Sequence, residues 1–253
     1  MNVSLSKVVA VVLAGGFGTR VQHLLPNLPK PMALVAGKPF LEWVVRYLGR
    51  QGVGKVVIST GYLSEVVARH FRNQPVPAVI TQCVAESGPL GTAGGFLHAA
   101  RASGESPEAW LVWNGDTLAF VALKGLLSSL ANPNFAGVVV GKELPDTSRY
   151  GTLSCDAAGG LAGFAEKQPG KGIVSAGIYV FRDWSVKEFP DQLPLSFEKD
   201  VFPALLARRM RLQVHLSDAP FLDVGTPESL PQADAFIRSN ERQFSVGHGE
   251  AAR

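Results

Sequence analysis

The 253-residue chain has little of what would mark most alternative classes. Its two cysteines, Cys83 and Cys155, lie far apart and outside any C-x-x-C spacing. That argues against a disulfide framework or a zinc site and suits a reducing cytosol. Charged residues make up 18%, below the usual quarter, and the net charge is only +3, so no case arises for nucleic acid as a partner. No apolar run approaches the ~20 residues of a membrane span. The amino terminus offers one lysine and then a strand-like segment without a cleavage site, so no signal peptide is expected and a cytoplasmic location is. Five histidines are scattered without ligand spacing, and neither a nucleophile elbow nor a Cys–His pairing is suggested. An internal repeat and a linker are missing too. What remains is a chain of 46% hydrophobic residues, enough for a well-filled α/β core. We expect a single domain over residues 1–245, with a first half (about 7–119), a second half (about 120–240) and a flexible tail over 246–253.

The most informative stretch runs from Val8 to Pro31. Val8 to Leu13 is an apolar, valine-rich run of the kind that forms a strand buried on both faces of a parallel sheet. It stops at Ala14-Gly15-Gly16-Phe17-Gly18, where three glycines in four positions let a ligand lie against the main chain. Inward-turned N–H groups of such a loop form an anion nest. Arg20 adds a guanidinium fork suited to phosphate oxygens, and Lys30, between Pro29 and Pro31, adds a second cation on a stiff tether. Two familiar phosphate cradles are excluded. No Lys-Ser or Lys-Thr follows the glycines, as a P-loop requires. Val21 stands where a dinucleotide fingerprint has its third glycine, and the second strand ends at Ser59-Thr60 rather than at an acid. The stretch reads as a triphosphate cradle.

Downstream, the pattern predicts a helix over Phe40 to Arg50, a strand over Lys55 to Thr60, a helix over Tyr62 to Phe71 and a strand over Val76 to Thr81. A loop from Gln82 to Leu90, a helix from Thr92 to Ala102 and a strand over Ala109 to Trp113 follow. This rhythm implies right-handed crossovers and a parallel sheet, whose carboxyl-end loops bind ligands. The second half predicts a helix over Val121 to Leu130 and strands over Ala136 to Lys142, Tyr150 to Cys155, Leu161 to Lys167 and Gly172 to Phe181. A helix capped by Ser196, with Glu198 in its first turn, runs to Ala207. Strands over Met210 to Leu216 and Phe221 to Val224 and a helix over Pro227 to Asn240 complete it. Asp116 and Asp223 both follow short apolar strands. Two carboxylates facing one crevice would suit Mg²⁺, an oxygen-seeking ion that bridges phosphates.

Leu-Ala-Gly-Gly-Phe-Gly-Thr-Arg followed by Pro-Lys-Pro-Met resembles the signature of the sugar-1-phosphate nucleotidyltransferases, over about residues 7 to 240. The resemblance implies a Rossmann-like mixed, mainly parallel sheet flanked by helices, with a smaller sugar-binding lobe. It also implies that Leu13, Ala14, Gly15, Gly16, Gly18, Thr19 and Arg20 hold the nucleotide, with Arg20, Lys30 and Asp116 acting in catalysis. Gly115-Asp116 and Asp223-Val-Gly-Thr look like the family's two metal-ligand segments. The stretch Glu86 to Gly95, containing Pro89-Leu-Gly91-Thr92-Ala-Gly, resembles its base-binding loop in guanylyltransferase-like members. Glu86 then falls at the base-reading position. A carboxylate accepts from the adjacent N1–H and N2–H donors of guanine but would repel the carbonyls of uracil or thymine. Gly151 resembles the sugar-side glycine, and Glu166-Lys167 the pair that holds sugar hydroxyls and sugar phosphate. Ser175 stands where the family more often has asparagine, which shortens the donor.

The chemistry so implied is nucleotidyl transfer from an NTP, GTP by preference, to a sugar 1-phosphate. The motif spacing most resembles the heptose 1-phosphate guanylyltransferase branch. Mannose 1-phosphate guanylyltransferase and an amino-sugar 1-phosphate uridylyltransferase stand as rivals, and a non-catalytic nucleotide-sugar-binding regulatory subunit as an alternative of another class. A monomer or homodimer is expected.

Overall fold

The computed structural model describes residues 3–244 apart from 17, 20, 26, 166–168 and 226–227. The first strand, β1 (Val8–Ala14), leads through the glycine loop to a small ribbon of β2 (Leu34–Val35) and β3 (Lys38–Pro39). Then come α1 (Phe40–Arg50), β4 (Lys55–Thr60), α2 (Ser64–Asn73), β5 (Ile80–Ala85), α3 (Thr92–Ser103) and β6 (Ala109–Asn114). A short β7 (Thr117–Ala119) and α4 (Leu123–Ser128) pass into β8 (Phe135–Leu144), β9 (Thr152–Cys155), β10 (Leu161–Ala165) and β11 (Gly172–Arg182). The chain closes with α5 (Asp183–Val186), a π-turn over Phe197–Val201, α6 (Phe202–Ala207), β12 (Arg211–Leu216), β13 (Phe221–Asp223) and α7 (Gln232–Ser239).

Among the described residues nine strands form one mixed sheet. β5, β4, β1 and β6 are parallel neighbours in that order, so successive strands step outward from β1 to β5 and the chain then returns to place β6 on β1's other side. That reversal opens a crevice beyond the carboxyl ends of β1 and β6. β11 joins antiparallel to β6 and carries β8, β9, β10 and β12 with it. β1 explains its own composition. Val8, Ala10, Val12 and Ala14 enter the core beneath α1, α2, α4 and α7, while Val9 and Val11 enter the core beneath α3 and α6. A strand covered on both faces has no polar side to show.

Several boundaries differ from the sequence expectation. The third strand is Ile80–Ala85 rather than 76–81. Ala78 has φ +62°, Pro77 lacks an N–H donor, and Val79 packs against Gly49 of α1, so this stretch turns before pairing begins. The following loop is correspondingly shorter. α2 begins at Ser64 because Leu63 is left-handed, α4 spans only Leu123–Ser128, and α7 begins after Pro231. Residues 246–253, where the tail was expected, lie outside the described residues.

Candidate active site

β1 delivers Leu13 and the glycine loop to the crevice, and β6 delivers Asn114 and Asp116 beside it. The two strand ends are stitched together by the Gly115 N–H, which donates to the Leu13 carbonyl at 2.8 Å. A cleft of about 520 Å³ follows. Of the residues expected to hold nucleotide, Leu13, Gly15, Gly16, Glu86, Pro89, Gly91 and Thr92 line it, together with Asp116. Ala14 is buried in the core, Thr19 is exposed away from the lining, and Gly18 lies against the aliphatic stem of Lys30. Arg20 falls outside the described residues. Gly61, Tyr62, Ser87 and Asn114 also line the cleft and were not singled out in the sequence.

Glu86 reaches back under the loop. Its Oε1 accepts from the Ser59 hydroxyl at 2.8 Å, and its main-chain N–H donates to Thr60 at 2.7 Å. A Cβ on Gly15 would lie 2.3 Å from that Oε1, so any larger residue there would push the Glu86 carboxylate out of this position. Glu86 is thereby held at the end of β4 with acceptor capacity to spare.

Asp116 and Asp223, more than a hundred residues apart, are brought together by the ribbon of β7 and β13. Asp223 pairs with Thr117 in its register, and the Val224 N–H donates to the Asp116 carbonyl at 2.9 Å. Burial and the neighbouring Asp116 charge push the Asp223 carboxyl up to about 6, against the pull of Lys30, the Gly225 N–H and Arg149. Lys30 forms an ion pair with Asp116 through Nζ and Oδ2. Two mutually repelling carboxylates at a cleft wall make an all-oxygen donor set that a hard divalent cation would relieve. Mg²⁺ fits here, because it needs only one or two protein carboxylates and takes its remaining ligands from water and phosphate.

A second cavity of about 230 Å³ opens on the other side of Asn114, which lines both. Gly151 and Ser175 line it as expected, with Tyr179, Ser196 and Glu198. Glu166 and Lys167 lie outside the described residues.

Comparison with known proteins decides the family. The nucleotidyl transferase family model matches residues 9–240. The chain belongs to the nucleotidyl transferase family. It is 31% identical over 220 residues to the D-glycero-α-D-manno-heptose 1-phosphate guanylyltransferase of Campylobacter jejuni, covering 87% of this chain and 95% of that one. It is 32% identical over 230 residues to the enzyme of the same name from Aneurinibacillus thermoaerophilus, covering 88% and 96%. Mannose-1-phosphate guanylyltransferase of Mycobacterium tuberculosis is 32% identical over 236 residues, covering 90% of this chain and 64% of that one. Among solved structures, HddC from Yersinia pseudotuberculosis complexed with GMP-PN superposes with a TM-score of 0.78 at 28% identity, over 90% of this chain and 99% of that one.

In this nucleotidyltransferase the two cavities are tied by main-chain hydrogen bonds. The Leu195 N–H donates to Leu90 at 2.8 Å, and its carbonyl accepts from Ala93 at 2.9 Å and Gly94 at 3.1 Å. Gly91, at φ +77°, passes so close that a Cβ would lie 2.4 Å from the Leu195 oxygen. Gly91 is the cap residue of α3, and the Thr92 hydroxyl accepts from the Phe197 N–H at 3.1 Å. Ser196 does cap its turn, accepting from Lys199 at 3.2 Å, while Asp200 accepts from the Ser196 N–H at 2.7 Å. The loop that lines the first cleft and the turn that lines the second cavity therefore form one unit.

Proposed function

We propose that this nucleotidyltransferase joins GTP to D-glycero-α-D-manno-heptose 1-phosphate, giving the GDP-sugar and pyrophosphate. A phosphate oxygen of the sugar 1-phosphate attacks the α-phosphorus of GTP. The new P–O bond forms as the bond from the α-phosphorus to the bridging oxygen breaks, and pyrophosphate leaves with that electron pair. The attacking phosphate is anionic at neutral pH, so the protein needs no nucleophile of its own. Its work is alignment and charge neutralisation.

The observation that carries this reading is the meeting of the two cavities at Asn114, beside Asp116, which gives donor and acceptor adjoining places. In the donor cleft the glycine loop and Arg20 bind the triphosphate, with the Lys30 ammonium offsetting repulsion between the two anions. Glu86 accepts from the N1–H and N2–H of guanine, the base that offers two adjacent donors to a carboxylate. Asp116 and Asp223 would hold Mg²⁺, which supplies charge neutralisation on phosphate oxygens when bound. In the second cavity Gly151, Ser175, Glu166 and Lys167 receive the sugar 1-phosphate. GTP as donor and the heptose as acceptor rest on the relatives in Campylobacter and Aneurinibacillus and on Glu86. Among the described residues no helix is long and apolar enough to cross a membrane.

Pyrophosphate release tests the reading, with GTP, UTP, dTTP and ATP each paired with heptose, mannose and amino-sugar 1-phosphates. Turnover is expected with GTP and the heptose phosphate above every other pair. Greater turnover with mannose 1-phosphate would move the chain to the mannose guanylyltransferases. Nucleotide binding without turnover of any pair would make it a regulatory subunit.

A further inference from the structure

The floor of the second cavity is a directed hydrogen-bond chain whose end has no assigned role. Glu198 Oε1 accepts from the Tyr179 hydroxyl at 2.7 Å, and Oε2 accepts from the Ser196 hydroxyl at 3.0 Å. Tyr179 is buried, and its single hydrogen goes to the carboxylate. The Ser175 hydroxyl, 3.2 Å from the Tyr179 oxygen, must then act as donor toward it. The Ser175 oxygen accepts in turn from the Gly177 N–H at 3.3 Å. Every hydrogen in this network points toward Glu198. Ser175 has no hydrogen left to offer a ligand, so the sugar-recognition role implied for it is confined to accepting. The carboxylate, with room for about four hydrogen bonds and two of them used, keeps free acceptor sites on a group locked by two protein donors.

We infer that Glu198 recognises the acceptor substrate by accepting hydrogen bonds from its sugar hydroxyls, with Tyr179 and Ser196 as positioning residues that hold the carboxylate toward the cavity. This rests on the reading of the second cavity as the sugar 1-phosphate site. The chemistry selects a neutral polyol. An acceptor that presents hydroxyl donors satisfies the carboxylate, whereas a uronic acid would bring a second negative charge against it. Glu198 also follows Leu195 and Phe197, both hydrogen-bonded to the segment Leu90 to Gly94. The carboxylate is thus set in place from the donor cleft as well as by its own partners.

The test measures steady-state kinetics of the whole enzyme, varying GTP and the sugar 1-phosphate separately, for wild type, E198Q, E198A and Y179F. Wild-type turnover comes first, because its absence would defeat the proposed function and not this inference. With turnover present, E198Q is expected to raise KM for the sugar 1-phosphate at least tenfold while KM for GTP stays within about twofold. Y179F is expected to move the same KM by a smaller factor. Sugar 1-phosphates lacking one hydroxyl at a time identify the partner: the analogue missing the bonded hydroxyl should lose little further on going from wild type to E198Q. Unchanged acceptor KM in E198Q overturns the inference. So does an equal rise in both KM values with a lowered melting temperature, since a purely structural glutamate would behave that way. Should E198A fail to fold, E198Q and the deoxy series still decide.

Discussion

Lys30 is only 13% exposed and ion-paired to Asp116, so its ammonium is fixed at the meeting point of the glycine loop and the acidic pair. A preorganised cation at a site of developing phosphate charge is worth about 2–4 kcal/mol by analogy with a lost oxyanion donor. K30A should therefore lower kcat/KM by about 30- to 900-fold. A loss below about fivefold would remove Lys30 from the reaction. Asp223 gives a pH signature. Its carboxyl titrates near 6 in the fold, and about 3.9 is the ordinary value in an unfolded chain. As pH rises from about 4 to about 6 the unfolded chain releases this proton first, so the folded state loses stability across that window. Without divalent cation, D223N should melt above wild type at pH 7.5, and the gap should close below pH 4. Equal melting temperatures at pH 7.5 would contradict it. Both acids were legible in the sequence because each ends a short apolar run. Glu198 was not, because Ser-x-Glu at a helix start is equally the pattern of a cap, and Ser196 serves as one. Only the fold reveals that Tyr179, on another element, points its hydroxyl there.

At the scale of elements, the strap from Leu195 to Phe197 makes the loop over Leu90 to Gly94 a shared wall. G91A places a side chain at φ +77° and 2.4 Å from the Leu195 oxygen. Strain of this kind costs on the order of 1–3 kcal/mol. At about 2–4 °C per kcal/mol for a chain of this size, the melting temperature should fall by roughly 2–12 °C. KM should rise for both substrates, because both cavities border the displaced segment. A variant with wild-type melting temperature and KM values would mean that the strap gives way at no cost. Elements with one unbroken periodicity were read correctly, as α1 and β4 show to the residue. β5 was displaced because it is the edge strand, half-polar, and preceded by two valines that pack without pairing. Alternation and apolar density point to different stretches there, and tertiary packing against α1 decides between them.

For the whole molecule, one sheet runs through both halves: β6 pairs with β1 on one side and β11 on the other. The cores on its two faces each draw residues from both halves. Unfolding should therefore be a single calorimetric transition. Nucleotide at 100 times its dissociation constant should add about 2.7 kcal/mol, a rise of roughly 5–11 °C. Two separated transitions, with only one moved by GTP, would contradict the shared core. The parallel half was legible because buried strands and helices alternate at a regular rhythm. The antiparallel half was legible in its strands but not in its order, because the insertion of β11 between β6 and β8 depends on long-range pairing that no local pattern records.

In the proposed mechanism Asp116 and Asp223, joined across the β7–β13 ribbon, hold a divalent cation against polyphosphate in the first cleft. Calorimetric titration of GTP into wild type and D223N, each with and without Mg²⁺, tests it most directly. Mg²⁺ should tighten GTP binding to wild type by at least tenfold, and that gain should disappear in D223N. An equal Mg²⁺-dependent gain in both proteins would mean that Asp223 holds no cation against the nucleotide.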